Sequence, residues 1–341
     1  MGTVIEKPVR VGLPCALLYY EFGATWRSFL EVLGADPVES GPTTRARIER
    51  GLSAALDEAC LPVKAAYGHC LDLARKVQVI FLPRVVSVES RAYSCPKLLG
   101  VSDMIRLALP SGVTLLDPTI DLSRGSDRCL WAAAELVGRS VGAGPDRIHR
   151  AAVLLSEGMV AYGRGAPAKP SRGGGRGCGR GRGRGEGQLA GAPRNGDSRT
   201  GIGLVGHPYN LYDPGLNLDI ASRLASLGAE VKVPEDYTPG ALESASERAL
   251  KKPLFWTLGK RLIAAAALMA RDPAVHGIVS LASFGCGPDS LTLELASRHV
   301  RRAAKRKPFM LLTLDEHTGE AGLLTRIEAF VDLVVRRRRA V

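Results

Sequence analysis

The sequence is short of aromatic residues, of closely spaced cysteines and of long apolar runs, and each shortage narrows what the chain can do. Phe, Trp and Tyr make up 5% of the 341 residues, so platforms for stacking nucleic-acid bases are scarce. No C-x-x-C occurs, and the seven cysteines match no local metal or redox motif. The longest apolar run, Leu262 to Ala270, is too short to span a bilayer. The opening residues have no apolar stretch of signal-peptide length, and Glu6 stands where a myristoylation signal wants Ser or Thr. A cytoplasmic location with no membrane partner is therefore expected, and in that compartment cysteines are thiols or metal ligands rather than disulfides. Phosphate-binding signatures are also missing. There is no G-x-x-x-x-G-K-[ST], and Gly201-Ile202-Gly203 opens a strand, where it cannot cradle pyrophosphate. An intrinsic ATPase or NAD enzyme is not expected.

What the chain does have is positive charge, a formal +12, in two places. Residues 163–200 hold nine Lys/Arg against two acids, and Arg336 to Arg339 add four more, so the remaining body is almost neutral. The first stretch includes a Gly-Arg-rich run from Arg172 to Gly185 with almost nothing to bury, so it reads as disordered. It is either an RNA-binding segment or a charged linker.

Short β-branched runs alternate with helical stretches on both sides of that insert. Strands are expected at Val9–Leu13, Val77–Leu82, Val113–Leu116, Ile202–Val205, Glu230–Val233, Gly277–Leu281 and Phe309–Leu314. Helices are expected between them, among them Leu17–Leu33, Lys97–Leu109, Asp127–Gly138, Asp146–Ala161, Leu216–Leu227, Trp256–Arg271 and Ser290–Ala304. Alternation of this kind implies α/β structure with mostly parallel strands and right-handed crossovers. The expected organisation is a Rossmann-like lobe over 1–162, the insert over 163–200, and a second Rossmann-like lobe over 201–341.

Sites in open α/β sheets form beyond the carboxyl ends of the strands. Four segments stand out: Asp57 to Lys64, Pro83 to Lys97, Ser283 to Ser290 and Asp315 to Gly322. Cys60, Cys95 and Cys286 each sit in one of them beside Pro or Gly, and the last two lie between a strand and a helix. Amides at a helix N-terminus acidify a thiol and prepare it as a ligand. Three thiolates from separate loops at one sheet edge would suit a four-iron cluster with one iron open to substrate or water. Separations of 35 and 191 residues leave the alternative open, that these are buried structural thiols. Cys15 follows the first strand at the same edge, whereas Cys70 and Cys129 sit in helical patterns. His207 is either a ligand or proton shuttle, or part of a turn shaped by Pro208, Asn210 and Pro214. Asp315-Glu316-His317 groups three ionisable side chains at a strand end, for acid–base work or for capping the next helix.

Taken together, Val11-Gly12-Leu13-Pro14, Asp57 to Lys64, Tyr93-Ser94-Cys95-Pro96-Lys97, Gly206-His207-Pro208-Tyr209-Asn210, Phe284 to Asp289 and Asp315 to Gly322 resemble the acyl-CoA dehydratase activase-related proteins. These are relatives of the iron–sulfur subunits of 2-hydroxyacyl-CoA dehydratases and benzoyl-CoA reductases. The resemblance covers both lobes in order. It implies an oxygen-sensitive [4Fe-4S] cluster on Cys60, Cys95 and Cys286 and low-potential electrons supplied by a separate ATP-dependent activase. The chain would then serve as an electron carrier or as a catalytic subunit on an acyl-CoA-like substrate. His207, Glu316 and His317 become candidates for proton transfer or for support of the cluster. The Gly-Arg insert and Cys15 depart from the family pattern. A nucleic-acid binder using the insert, or a structural zinc protein using the same thiols, are the competing readings.

Overall fold

A computed structural model describes residues 7–163, 199–305 and 307–340. The chain divides into two units, Met1–Asp57 with Val63–Cys178, and Glu58–Pro62 with Gly179–Val341. The short tract that carries Cys60 thus groups with the second unit, although it lies within the N-terminal half of the sequence. Residues 164–198, for which the sequence suggests disorder and RNA binding, lie outside the described residues.

In the first unit the elements run β1 (Arg10–Leu13), α1 (Tyr19–Leu33), β2 (Asp36–Glu39), α2 (Arg45–Leu52), α3 (Leu61–Ala74), β3 (Val79–Phe81), β4 (Arg84–Ser87), α4 (Pro96–Ala108), β5 (Thr114–Leu116), β6 (Thr119–Asp121), α5 (Arg128–Ser140) and α6 (Pro145–Gly163). The main sheet is parallel, in the order β2-β1-β3-β5. Apolar residues of α1 recur at helical spacing, and Phe22, Trp26, Phe29, Leu30 and Leu33 are buried. Trp26 and Phe29 meet Phe81 of β3 at centroid distances of 6.0 and 5.8 Å, so several of the chain's few aromatics form one cluster.

The segment after β3 is not the open loop its position suggests. Arg84–Ser87 forms β4, which pairs in parallel with β6 in a separate two-stranded sheet. Arg84 donates to both carboxylate oxygens of Asp103 at 2.7 Å and to Asp117 at 3.2 Å, so its guanidinium is engaged in holding α4 to the strand.

The second unit runs β7 (Thr200–Gly206), α7 (Pro208–Tyr212), α8 (Pro214–Asn217), α9 (Ile220–Ser226), β8 (Ala229–Lys232), α10 (Pro239–Ala249), α11 (Thr257–Arg271), β9 (Gly277–Ser283), α12 (Gly287–Ala303), β10 (Phe309–Leu314) and α13 (Glu320–Arg339), with a 3-10 turn at Pro234–Asp236. Its sheet is also parallel, in the order β10-β9-β7-β8. Every residue of β9 is buried, as a central parallel strand covered on both faces requires. The Ala-rich helix α11 packs Leu262, Ile263, Ala266 and Met269 with Val205 and Ile278 into the core. Both units therefore have the mostly parallel α/β architecture that the alternation predicts. No helix among the described residues is long and apolar enough to cross a membrane.

The helix expected over Leu216–Leu227 is two pieces. Leu218 and Asp219 take left-handed angles of φ 55° and 54° between α8 and α9. Asn217 donates from Nδ2 to the carbonyls of Asn210 and Leu211, which anchors the end of α8 against α7 and forces the chain to turn before α9. Apolar spacing alone cannot reveal such a break.

Two features of the first unit yield measurable consequences. A Cβ on Gly51 would lie 1.9 Å from the Lys64 carbonyl oxygen, and one on Gly68 would lie 2.0 Å from that of Arg47. Helices α2 and α3 thus approach backbone to backbone, and only glycine permits it. Gly51→Ala and Gly68→Ala should each destabilise the protein by about 1–3 kcal/mol, read as a loss in melting temperature. His69 is fully buried, with Nδ1 2.7 Å from Ser40 Oγ and Nε2 2.8 Å from Thr43 Oγ1. Burial, aided by Arg47, pushes its imidazole down to about 3 from the usual 6.5. An unfolded chain takes up this proton below about pH 6.5, whereas the folded chain resists it until about pH 3, so stability is full above the first value and lost towards the second. The limiting slope is ~1.4 kcal/mol per pH unit. Melting temperatures of wild type and His69→Gln measured from about pH 7 to about pH 5 should converge as the pH falls, because the variant lacks this term.

Candidate functional site

In the second unit β7 and β9 are neighbours, and the chain leaves them towards opposite edges of the sheet: β8 lies beyond β7, and β10 beyond β9. The crevice at their carboxyl ends is a topological switch point, where open α/β sheets bind ligands. The N-cap residue of the helix after each strand carries the chemistry. His207 is the N-cap of α7 with Pro208 at the first helical position, and Cys286 is the N-cap of α12, followed by Gly287 and Pro288. Proline's fixed φ starts a helix directly after the N-cap and projects the capping side chain from the strand end. Gly285, at φ 77°, supplies the left-handed turn from β9 into α12.

Asp289 enters from the first turn of α12 and is buried. One ligand-type atom from each of His207, Cys286 and Asp289 lies within 4.8 Å of the other two. His207 Nε2 stands 3.3 Å from Asp289 Oδ1, at ion-pair distance but not aligned as a hydrogen bond. Among the described residues His207 Nε2 has no hydrogen-bond partner, and the Asp289 carboxylate has beside it only the Cys286 thiol, a weak donor. The opposite face of the imidazole is held, because Nδ1 is 2.6 Å from the Tyr209 hydroxyl. Ser283, the last residue of β9, donates to Asn210 Oδ1 at 2.7 Å and ties the two strand ends together.

The Cys286 thiol does not follow the expectation of an acidified N-terminal cysteine. Burial first, then the Asp289 carboxylate, push it well above the ordinary thiol range, and Cys60 adds to the effect. The Asp289 amide acts the other way and is outweighed.

Cys60 is buried and immediately precedes α3. Its Cα lies 3.7 Å from where a Cβ on Gly285 would stand, so the Cys60 tract packs against the turn that presents Cys286. The fold thus brings together Cys60, Cys286 and His207, three of the residues singled out from the sequence. Glu316 and His317 follow β10, whose last residue pairs with Ser283, but they do not join the donor group. There Asp315 accepts from the His317 amide at 3.0 Å and from Thr318 Oγ1 at 2.8 Å, the pattern of a capped turn. Cys95 belongs to the first unit, as the N-cap of α4 with Pro96 behind it, and is half-buried. Cys15 is wholly buried, with its amide donating to Ser40 Oγ at 2.8 Å. Burial raises the Cys70 thiol to about 12, and Cys129 exchanges weak hydrogen bonds with the Asp121 backbone.

Asp289 is the residue that sequence reasoning passed over. An acid in the first turn of a helix is ordinary capping composition, and only its burial marks it out. The run Cys286-Gly287-Pro288-Asp289 places donors three residues apart on a helix start, a signal available in the sequence but not specific.

A family model described as "CoA enzyme activase uncharacterised domain (DUF2229)" matches residues 10–237. No curated protein matches the chain. Among solved structures, glucosamine-6-phosphate deaminase from Thermotoga maritima aligns with 96% of this chain and 86% of its own at 9% identity, with a TM-score of 0.20, too low to bear on fold or function.

The turn at Gly285 is open to a direct test. Gly285→Ala forces a side-chain residue into the left-handed region and should cost about 1–2 kcal/mol, measured by thermal unfolding.

Proposed function

The chain belongs to the CoA enzyme activase uncharacterised-domain family, and on that premise we propose that it is an iron–sulfur redox protein serving CoA-ester chemistry. Cys60, Cys95 and Cys286 hold a [4Fe-4S] cluster in this reading, and a separate ATP-driven activase supplies the electrons. The observation that carries it is the meeting of Cys60 with the Cys286 turn within one unit, although the two cysteines are far apart in sequence.

The donor set fits such a group. The Cys60 tract packs against the turn that presents Cys286, close enough for the two thiols to interact, and the buried His207 Nε2 beside Cys286 makes no hydrogen bond among the described residues. When bound, the cluster supplies one-electron transfer at low potential. The protein's own residues do the rest. At Cys286 the Asp289 amide favours negative charge on sulfur, against the burial and the Asp289 carboxylate that oppose it. Pro96 and Pro288 fix the first turns that carry those cysteines. In this reading His207, buried and with Nδ1 2.6 Å from the Tyr209 hydroxyl, holds or passes a proton at Nε2 beside Cys286. Glu316 and His317, in the next loop, are the candidates for exchanging protons with an acyl-CoA-like substrate.

Purification under strict anaerobiosis, followed by iron and sulfide analysis and electron paramagnetic resonance, tests the proposal. The expected product is a brown protein with about four irons per chain, bleached by air, and colourless as the triple variant Cys60→Ala, Cys95→Ala, Cys286→Ala. A wild-type protein that stays colourless and iron-free after anaerobic reconstitution removes the reading.

A further inference from the structure

The second unit contains a donor set of which a four-iron cluster on three cysteines would use only Cys286. We propose that His207 Nε2, Cys286 Sγ and the Asp289 carboxylate form a binding site for a single divalent transition ion of the zinc, cobalt or ferrous class. The proposal does not rest on the iron–sulfur reading and shares only Cys286 with it.

Three lines of geometry support it. An ion bonded at ~2.0–2.3 Å in tetrahedral geometry spaces its ligands ~3.3–3.6 Å apart. His207 Nε2 and Asp289 Oδ1, 3.3 Å apart, already stand at that spacing, and the 4.8 Å limit on the group leaves at most a small side-chain adjustment for the sulfur. Secondly, both side chains are more than nine-tenths buried, yet His207 Nε2 makes no hydrogen bond among the described residues and the Asp289 carboxylate faces only the weakly donating Cys286 thiol. A buried carboxylate with so weak a donor costs several kcal/mol unless a cation offsets it. Thirdly, His207 is oriented as metal-bound histidines are, since its remote nitrogen is fixed by the Tyr209 hydroxyl at 2.6 Å while Nε2 faces the donors.

The mixed nitrogen, sulfur and carboxylate set selects borderline transition ions over magnesium or calcium, which take oxygen ligands. Three protein ligands leave a fourth position for water or substrate, the arrangement of a Lewis-acid site rather than of a closed structural one. Since Cys286 cannot serve both groups, the single ion and the cluster are exclusive occupants of this crevice.

Cobalt is the probe, because a thiolate ligand gives it a charge-transfer absorption that zinc lacks. The full chain, stripped of metal and kept anaerobic, should bind one Co2+ with that band, and Zn2+ should displace it. His207→Gln and Asp289→Asn should each weaken Co2+ binding at least ~10-fold, Cys286→Ala should lose the band, and Tyr209→Phe should weaken binding by about 10-fold through the freed imidazole. Circular dichroism confirms that each variant folds. Cys95→Ala separates this proposal from the cluster: it should lose iron–sulfur loading and bind Co2+ as wild type does. Absence of a thiolate-to-cobalt band in the wild type overturns the site. So does unchanged affinity in folded His207→Gln and Asp289→Asn. A missing cluster alongside normal Co2+ binding defeats only the iron–sulfur reading.

Discussion

A buried carboxylate facing an unpartnered imidazole nitrogen is the constraint around which the second unit is organised. Asp289 and the facing nitrogen of His207 have lost their hydration; the nitrogen has gained no hydrogen bond among the described residues and the carboxylate only the weak donor of Cys286, at a free-energy cost that ordinary cores avoid. The first-turn amides of α12 offset part of it, on the order of 1 kcal/mol. The rest must be offset elsewhere, and the sheet supplies the means. β9 is buried throughout, α11 seals one face with small and aliphatic side chains, and the Ser283–Asn210 hydrogen bond locks the two strand ends that carry the donors. A framework this rigid can hold polar groups in positions they would not choose.

Much of this architecture is legible in the residues themselves. The strands at Gly277 and Phe309 and the helices around α1, α5 and α11 follow from β-branched runs and helical apolar spacing, because burial on one face leaves its period in the sequence. What stays hidden depends on tertiary contact. β2 contains Pro37 and lies at the sheet edge, where the missing amide costs little, so its sequence does not look like a strand. β4 and β6 are short and pair only with each other. Between α8 and α9, two residues in left-handed geometry interrupt an apolar pattern that reads as continuous.

The site shows the same division. Cys286, His207 and Cys60 could be picked out because Gly and Pro beside a strand end announce a turn into a helix. The proximity of Cys60 to Gly285 was not in the local sequence, since it arises from a tract of the N-terminal half grouping with the second unit. Asp289 was invisible for the opposite reason: its local role as a first-turn acid is so common that it draws no notice. Thiol acidity was misjudged in the same way, because helix amides can be read from position whereas burial and a neighbouring carboxylate cannot.

Both sheets place their first strand between the second and the third, yet the two strand ends have met different fates. Beyond β1, Cys15, Ser40, His69 and Thr43 satisfy one another in a dry, neutral network. Beyond β7, the equivalent corner is left chemically unsaturated. One blueprint is thus used twice, once sealed and once reactive, so new chemistry could arise in this chain by exchanging a few corner side chains while the scaffold stays as it is.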